Sequence, residues 1–278
     1  MLKKTLIMGI LNVTPDSFSD GGMYYNNAEK SVKRIQQMLK EGADIIDIGG
    51  MSTRPGAKIV LVTEELQRTI PVIELARKKL GNNFEISIDT YRAEVAEAAL
   101  EKGANIVNSL GGFKFDNNLA LVIKKFNCKI VIYHIQGLPK TMQLETIKYK
   151  NVINDIIAFF NKQIVFAVEN KITKDNLILD PGIGFGKTVE QNLIIIKKFY
   201  KFKKLHLPIM IGVSRKSHIG LLLKDKLQLS EVPSFDNRLE GSLAETAIAV
   251  INGAQIIRTH DVHQTHMFLT VLDELMKI

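Results

Sequence analysis

Eight places in this chain set reactive or ligating side chains directly behind a short apolar run: Asn12 to Ser19, Gly49 to Gly56, Asp89, Asn108, His134, Asp180 to Gly186, Ser214 to Ser217 and Arg258 to Asp261. Asp180, with glycines behind it, can accept two hydrogen bonds from a planar amidine-like group while small residues make room for a ring. Ser214-Arg215-Lys216-Ser217 offers an ammonium and hydroxyls at the next such place. Arg258-Thr259-His260 follows the last run, where barrel enzymes commonly hold phosphate together with the seventh loop. The stretch from Gly182 to Lys187 superficially resembles a phosphate-cradling loop, but its first glycine stands one residue too close to Lys187 for a P-loop.

The elements that must position these groups follow from the apolar runs. Leu6–Leu11, Ile45–Ile48, Phe84–Ile88, Ile130–Tyr133, Leu177–Leu179 and Pro208–Ile211 are apolar without clear alternation, as strands buried on both faces are. Helices are expected near Asn27–Lys40, Thr63–Leu80, Tyr91–Lys102, Asn117–Phe126, Lys148–Asn170, Val189–Phe202 and Asn237–Asn252, with a closing helix toward Met276. Thr63, with Gln67 close by, makes a helix start. Gly42 and Gly103 fall just past helix ends, where a left-handed cap is needed. About eight βα units predict an α/β chain folded as a (β/α)8 TIM barrel, with its chemistry at the C-terminal ends of the strands.

At 278 residues the chain matches one such barrel, and no linker, low-complexity tract or repeat divides it, so 1–278 is expected to be a single domain. Met1 to Leu11 faintly imitates a signal peptide, but the run flows straight into the Asn12–Ser19 motif with no small-residue cleavage site. No apolar stretch nears the ~18 residues of a membrane span. One cysteine, Cys128, rules out an intramolecular disulfide, fits a reducing cytoplasm and is assigned to core packing. The formal net charge of +8 raises nucleic-acid binding, yet the lysine pairs are scattered over separate elements, so they read as solvated helix faces that speed encounter with small anions.

Longer segments carry a family signature. Met8-Gly9-Ile10-Leu11-Asn12-Val13-Thr14-Pro15-Asp16-Ser17-Phe18-Ser19-Asp20-Gly21-Gly22 and Asp47-Ile48-Gly49-Gly50-Met51-Ser52-Thr53-Arg54-Pro55-Gly56-Ala57 closely resemble the two signature segments of the dihydropteroate synthases. The resemblance continues through Ser87 to Thr90, Leu179 to Lys187, Gly212 to Ser217 and Arg258 to Val262, across essentially the whole chain. It implies a cytoplasmic, homodimeric barrel transferase that joins 4-aminobenzoate to (7,8-dihydropterin-6-yl)methyl diphosphate, with release of diphosphate. No pyrophosphokinase extension is expected at either end.

The resemblance also distributes roles. Asp180, Asn108 and Asp89 would hold the pterin edge, and Lys216 its carbonyl. Asn12, Thr53, Arg258 and His260, with Thr259 between the last two, would form the diphosphate clamp, and Asn12 would serve as an oxygen ligand to Mg²⁺. Phe18, Pro55 and Ser217 would shape the aminobenzoate pocket. Asp20 and Arg54 would close over the site in a dissociative substitution that needs no strong base, because an aryl amine is already nucleophilic at neutral pH. The loops carrying Asp16–Gly22 and Met51–Gly56 are expected to be poorly ordered without ligand. Two relatives of the same barrel remain as alternatives, the pterin-binding domain of corrinoid methyltransferases and a non-catalytic pterin-binding paralogue. The diphosphate-clamp residues argue against the first.

Overall fold

The computed structural model describes residues 4–14, 27–51, 60–137 and 149–278. Eight strands, β1 (Leu6–Asn12), β2 (Ile45–Gly49), β3 (Glu85–Asp89), β4 (Ile106–Leu110), β5 (Lys129–Tyr133), β6 (Leu177–Asp180), β7 (Met210–Ile211) and β8 (Ile256–Thr259), form one parallel sheet. They run in the order β6-β5-β4-β3-β2-β1-β8-β7, and a lone bridge between Leu179 and Ile209 closes the ring. The helices are α1 (Ala28–Lys40), α2 (Val62–Leu80), α3 (Ala93–Glu101), α4 (Leu119–Phe126), α5 (Val152–Glu169), α6 (Val189–Lys197), α7 (Ser217–Lys226), α8 (Leu239–Ile251) and α9 (Val262–Leu275). This is a (β/α)8 barrel.

Side chains alternate across a strand, so each strand serves two cores. One face packs against the helices in a large shell that includes Ile7, Ile46, Ile86, Val107, Ile130, Leu179 and Ile257. The other face fills the barrel with Met8, Ile45, Ile106, Val131, Ile178, Met210 and Ile256, one from each strand but β3. Two residues further along, the interior turns polar: Asp47, Asn108, Asp180 and Arg258 stand above Ile45, Ile106, Ile178 and Ile256. That change of polarity along one face separates the plug from the site.

The strands extend past the apolar runs, taking in Asn12, Gly49, Asp89, Asn108, Asp180 and Thr259. Gly42 and Gly103 adopt the expected positive φ, 105° and 104°. Cys128 is buried, and burial pushes its thiol up to about 11, which leaves it inert.

Three helical expectations need correction. Helix α2 begins at Val62 after Leu61, which gives no side-chain cap, so Thr63 is already inside the helix. The helix expected over Val189–Phe202 ends at Lys197 and continues as a 3₁₀ turn from Phe199 to Leu205. Helix α7, from Ser217 to Lys226, was hidden because a chemically suggestive motif reads as loop and Gly220 weakens the helical pattern.

Candidate active site

The interior polar layer is an ion-pair network. Arg258 donates Nε to Asp47 Oδ2 at 2.7 Å and Nη2 to Asp89 Oδ2 at 2.8 Å, so one guanidinium ties β8 to β2 and β3. Asn108 Nδ2 donates to the same Asp47 oxygen at 3.0 Å. Burial opposes the charge on Arg258, but Asp47 and Asp89 outweigh it and hold the guanidinium above its ordinary pKa. Asp89 is pushed up by burial and by Asp47 and Glu65, against the pull of Arg258. The buried Asn108 Oδ1 has no hydrogen-bond partner among the described residues, which marks an acceptor in want of a donor.

Asp180 stands beside this network on β6, and its Oδ1 accepts the Gly182 N–H at 2.7 Å. Burial raises its carboxyl to about 6, resisted by the Gly182 N–H and by Lys216, Arg258 and Lys187. The turn after it requires glycine. At Gly182 φ is +71°, and a Cβ there would meet the His134 carbonyl oxygen at 1.9 Å. Lys187 is buried beneath this turn, where its Nζ donates to the carbonyls of Gly182 at 2.7 Å and Phe185 at 3.0 Å and lies 3.0 Å from His134 Nδ1. Burial brings the Lys187 ammonium down to about 7. The lysine that imitated a P-loop therefore braces backbone carbonyls.

Lys216 lies across the turn, its Nζ 4.3 Å from the centre of the Phe185 ring, and Phe185 meets Tyr133 edge-on at 4.6 Å. Two residues back, Ser214 Oγ lies 3.1 Å from His260 Nδ1 and accepts the His260 N–H at 3.1 Å. Arg215 between them takes φ +52° and clamps Asp261 through Nε at 2.8 Å and Nη2 at 2.6 Å. Asn12 ends β1 with its Oδ1 facing the open Cα of Gly49, 3.5 Å from where a Cβ would stand. The mouth thus sets an amide, an imidazole and a hydroxyl above a buried layer of acceptors and cations.

The chain is similar to known proteins along nearly its whole length. Residues 8–260 match the family model described as pterin binding enzyme. The dihydropteroate synthase of Synechocystis sp. is 42% identical over 99% of this chain and 91% of its own length. The chain belongs to the dihydropteroate synthase family. Solved synthases of that family superpose on it. One from Yersinia pestis, in a sulfonamide drug complex, has a TM-score of 0.92 and 37% identity over 99% of this chain and 95% of the other. One from Xanthomonas albilineans, with 4-aminobenzoic acid, has a TM-score of 0.88 and 34% identity over 99% and 94%.

In this chain the fold brings Asp89, Asn108, Asp180, Lys216, Arg258 and His260 to one end of the barrel, with Asn12 at its rim. Ser217 is exposed at the first position of α7. Thr259 is not brought to the site. Strand alternation turns it away from Arg258 and His260, and its hydroxyl accepts from Asp261 N–H at 3.0 Å and from Thr265 at 3.2 Å at the start of α9. Arg258, expected at the phosphates, has two of its arms committed to carboxylates. Phe18, Asp20, Thr53, Arg54 and Pro55 lie outside the described residues, as do nearly all of the two loops expected to be poorly ordered.

Sequence reasoning missed Asp47. An acidic residue within the buried run Ile45-Ile46-Asp47-Ile48 requires a cation partner, and that requirement was the available signal.

Proposed function

We propose that the barrel mouth condenses (7,8-dihydropterin-6-yl)methyl diphosphate with 4-aminobenzoate to give 7,8-dihydropteroate and diphosphate. The observation that carries this reading is the buried acceptor pair Asp180 and Asn108 beside two cations, Lys216 and Arg258. A pterin edge presents a 2-amino group and an N3–H, both donors, and suits those acceptors; Lys216 donates to the ring carbonyl. The amine nitrogen bonds to the methylene carbon, the carbon–oxygen bond breaks with its electron pair leaving on diphosphate, and the proton shed by the amine passes to the departing diphosphate. The pterin stabilises positive charge on the methylene carbon, so the chain's task is to orient the reactants, exclude water and accept the leaving charge.

The diphosphate is assigned to Asn12, Thr53 and His260, with the remaining arm of Arg258, Nη1. Phe18, Pro55 and Ser217 are assigned to the aminobenzoate, and Asp20 and Arg54 to closure around the reactants. Among the described residues no group of three His, Cys, Asp or Glu side chains could hold a metal. A Mg²⁺ ion that keeps several waters fits a site of one protein oxygen, Asn12 Oδ1, with phosphate oxygens making up the rest. When bound it would offset charge on the leaving group.

A homodimer is the proposed assembly, supported by exposed apolar side chains such as Leu221, Ile248 and Ile251 on α7 and α8. The cytoplasm is the proposed compartment, supported by the unpaired thiol of Cys128. No described helix is long and apolar enough to cross a membrane.

Diphosphate release measured with and without 4-aminobenzoate tests the condensation. Strict dependence on the amine is expected. Release at the same rate without it would overturn the reading.

A further inference from the structure

The polar layer inside the barrel includes a phenol beside its carboxylates. Tyr133 is the last residue of β5 and stands above Val131, as Asp47, Asn108, Asp180 and Arg258 stand above the apolar residues of their own strands. It pairs in register with Asp180 of β6, and the two side chains share the interior face. Its ring is held on two sides: Phe185 meets it edge-on, and a Cβ on Gly182 would stand 3.3 Å from its Cε2. Leu110 and Ile135 complete this apolar collar.

The collar accounts for the ring but not for the hydroxyl. Tyr133 is only 6% exposed, and a buried phenol normally finds a hydrogen-bond partner. Among the described residues no hydrogen bond reaches Tyr133 Oη, and unlike Tyr149 Oη it is not sealed from the cavity. Burial and the neighbouring Asp180 hold the phenol well above its ordinary pKa, with Arg258 opposing and Asp89 and Asp47 adding to the rise, so it stays a neutral donor. Other donors of the layer are committed: Asn108 Nδ2 to Asp47, two arms of Arg258 to Asp47 and Asp89, and Lys187 to the carbonyls of Gly182 and Phe185. A ring whose N3–H and 2-amino group face Asp180 presents an acceptor on either side of those donors, the carbonyl oxygen and N1. A donor standing beside Asp180 meets that need.

We propose that Tyr133 is a specificity-determining residue of the ring pocket, its hydroxyl donating to a pterin acceptor that flanks the donors taken by Asp180. The inference rests on the pterin reading of the site given above. A ring that offers the donor pair without the adjacent acceptor leaves a buried hydroxyl unpaired and is disfavoured for that reason.

Tyr133→Phe in the full chain tests this, because it removes one oxygen and keeps the ring between Phe185 and Gly182. Calorimetric titration with a pterin that lacks diphosphate should show affinity about fivefold to tenfold weaker, with a melting temperature unchanged or higher, a combination that a packing role excludes. The hydroxyl grips the ring equally before and during reaction, so KM for the diphosphate ester should rise by a similar factor while kcat stays within about twofold. The acid limb that Asp180 imposes near pH 6 should keep its place, and a loss that came with a displaced limb would mean that the hydroxyl acts on Asp180 and would overturn the ring contact. An analogue with C–H in place of ring N1 locates the acceptor. Equal affinity of parent and variant for that analogue assigns the hydroxyl to N1, and a loss of the same size on both ligands assigns it to the carbonyl oxygen. Equal affinity of parent and variant for the pterin itself would overturn the inference and leave the pterin reading intact, whereas a parent that binds no pterin would overturn both.

Discussion

Asp180→Asn separates the two oxygens of one carboxylate. Oδ1 is engaged by the Gly182 N–H at 2.7 Å, and an asparagine can keep that bond with its own oxygen, so the turn should survive. The amide nitrogen then replaces Oδ2 and points a donor at the pterin N3–H. The loss combines one charge-assisted hydrogen bond, ~1.5–3 kcal/mol, with a buried donor left unpaired, ~1–3 kcal/mol. A total of about 2.5–6 kcal/mol is on the order of a hundredfold or more in Kd. Calorimetric titration with a pterin that lacks diphosphate reads it directly, with the melting temperature as a control for folding.

The same residue predicts a pH dependence. The free carboxyl titrates at about 6, and its protonated form presents a hydrogen toward the ligand donors. Affinity should therefore be full above that pH and fall as pH drops through it, by about tenfold for each further unit. In Asp180→Asn the loss that sets in near pH 6 should disappear, leaving only what Asp89, whose carboxyl burial also pushes up, contributes. A variant that binds within about threefold of the parent, or that keeps the acid-limb loss, would refute the assignment of Asp180 as the ring acceptor.

Arg258→Ala should cost stability as well as turnover, by about 3–5 kcal/mol in denaturant unfolding, because it strands the buried carboxylates of Asp47 and Asp89; a change under about 1 kcal/mol would contradict the ion-pair network. Gly182→Ala should lower both the melting temperature and pterin affinity, since the added methyl meets the His134 carbonyl at 1.9 Å; an unchanged melting temperature would show that the turn relaxes freely. Chelating Mg²⁺, or Asn12→Ala, should suppress turnover while leaving calorimetric affinity for the bare pterin unchanged, and equal damage to both would break the division between ring pocket and clamp.

Much of this fold was legible because a strand buried on both faces has a simple signature. The limits of the strands were harder to read. Asn12, Asp89, Asn108 and Asp180 belong to the ladder through their backbones while their side chains face a polar cavity, so hydropathy stops before the hydrogen bonding does. The site was legible as a set of strand tips, but its inner wiring was not. Arg258 to Asp47 spans 211 positions and joins β8 to β2, a contact set by barrel closure rather than by local pattern. Lys187 was recognisable as a lysine in a glycine-rich turn, but only its burial shows that it faces inward, toward the carbonyls of that turn. Thr259 could have been excluded from the alternation of β8 alone.

The barrel is closed unevenly, and this has a consequence for its behaviour under load. Between β6 and β7 the ring depends on the Leu179 N–H to Pro208 bond of 2.9 Å and one bridge, while β7 is only two residues long. Amides along that seam should exchange with solvent through smaller openings than those of β1 or β2, which pair over five residues. Asp180 stands on one bank of the seam, and Lys216, which follows β7, on the other. A ring gripped by both is a staple across the weakest joint of the cylinder, so substrate entry and the mechanical completion of the barrel become one event.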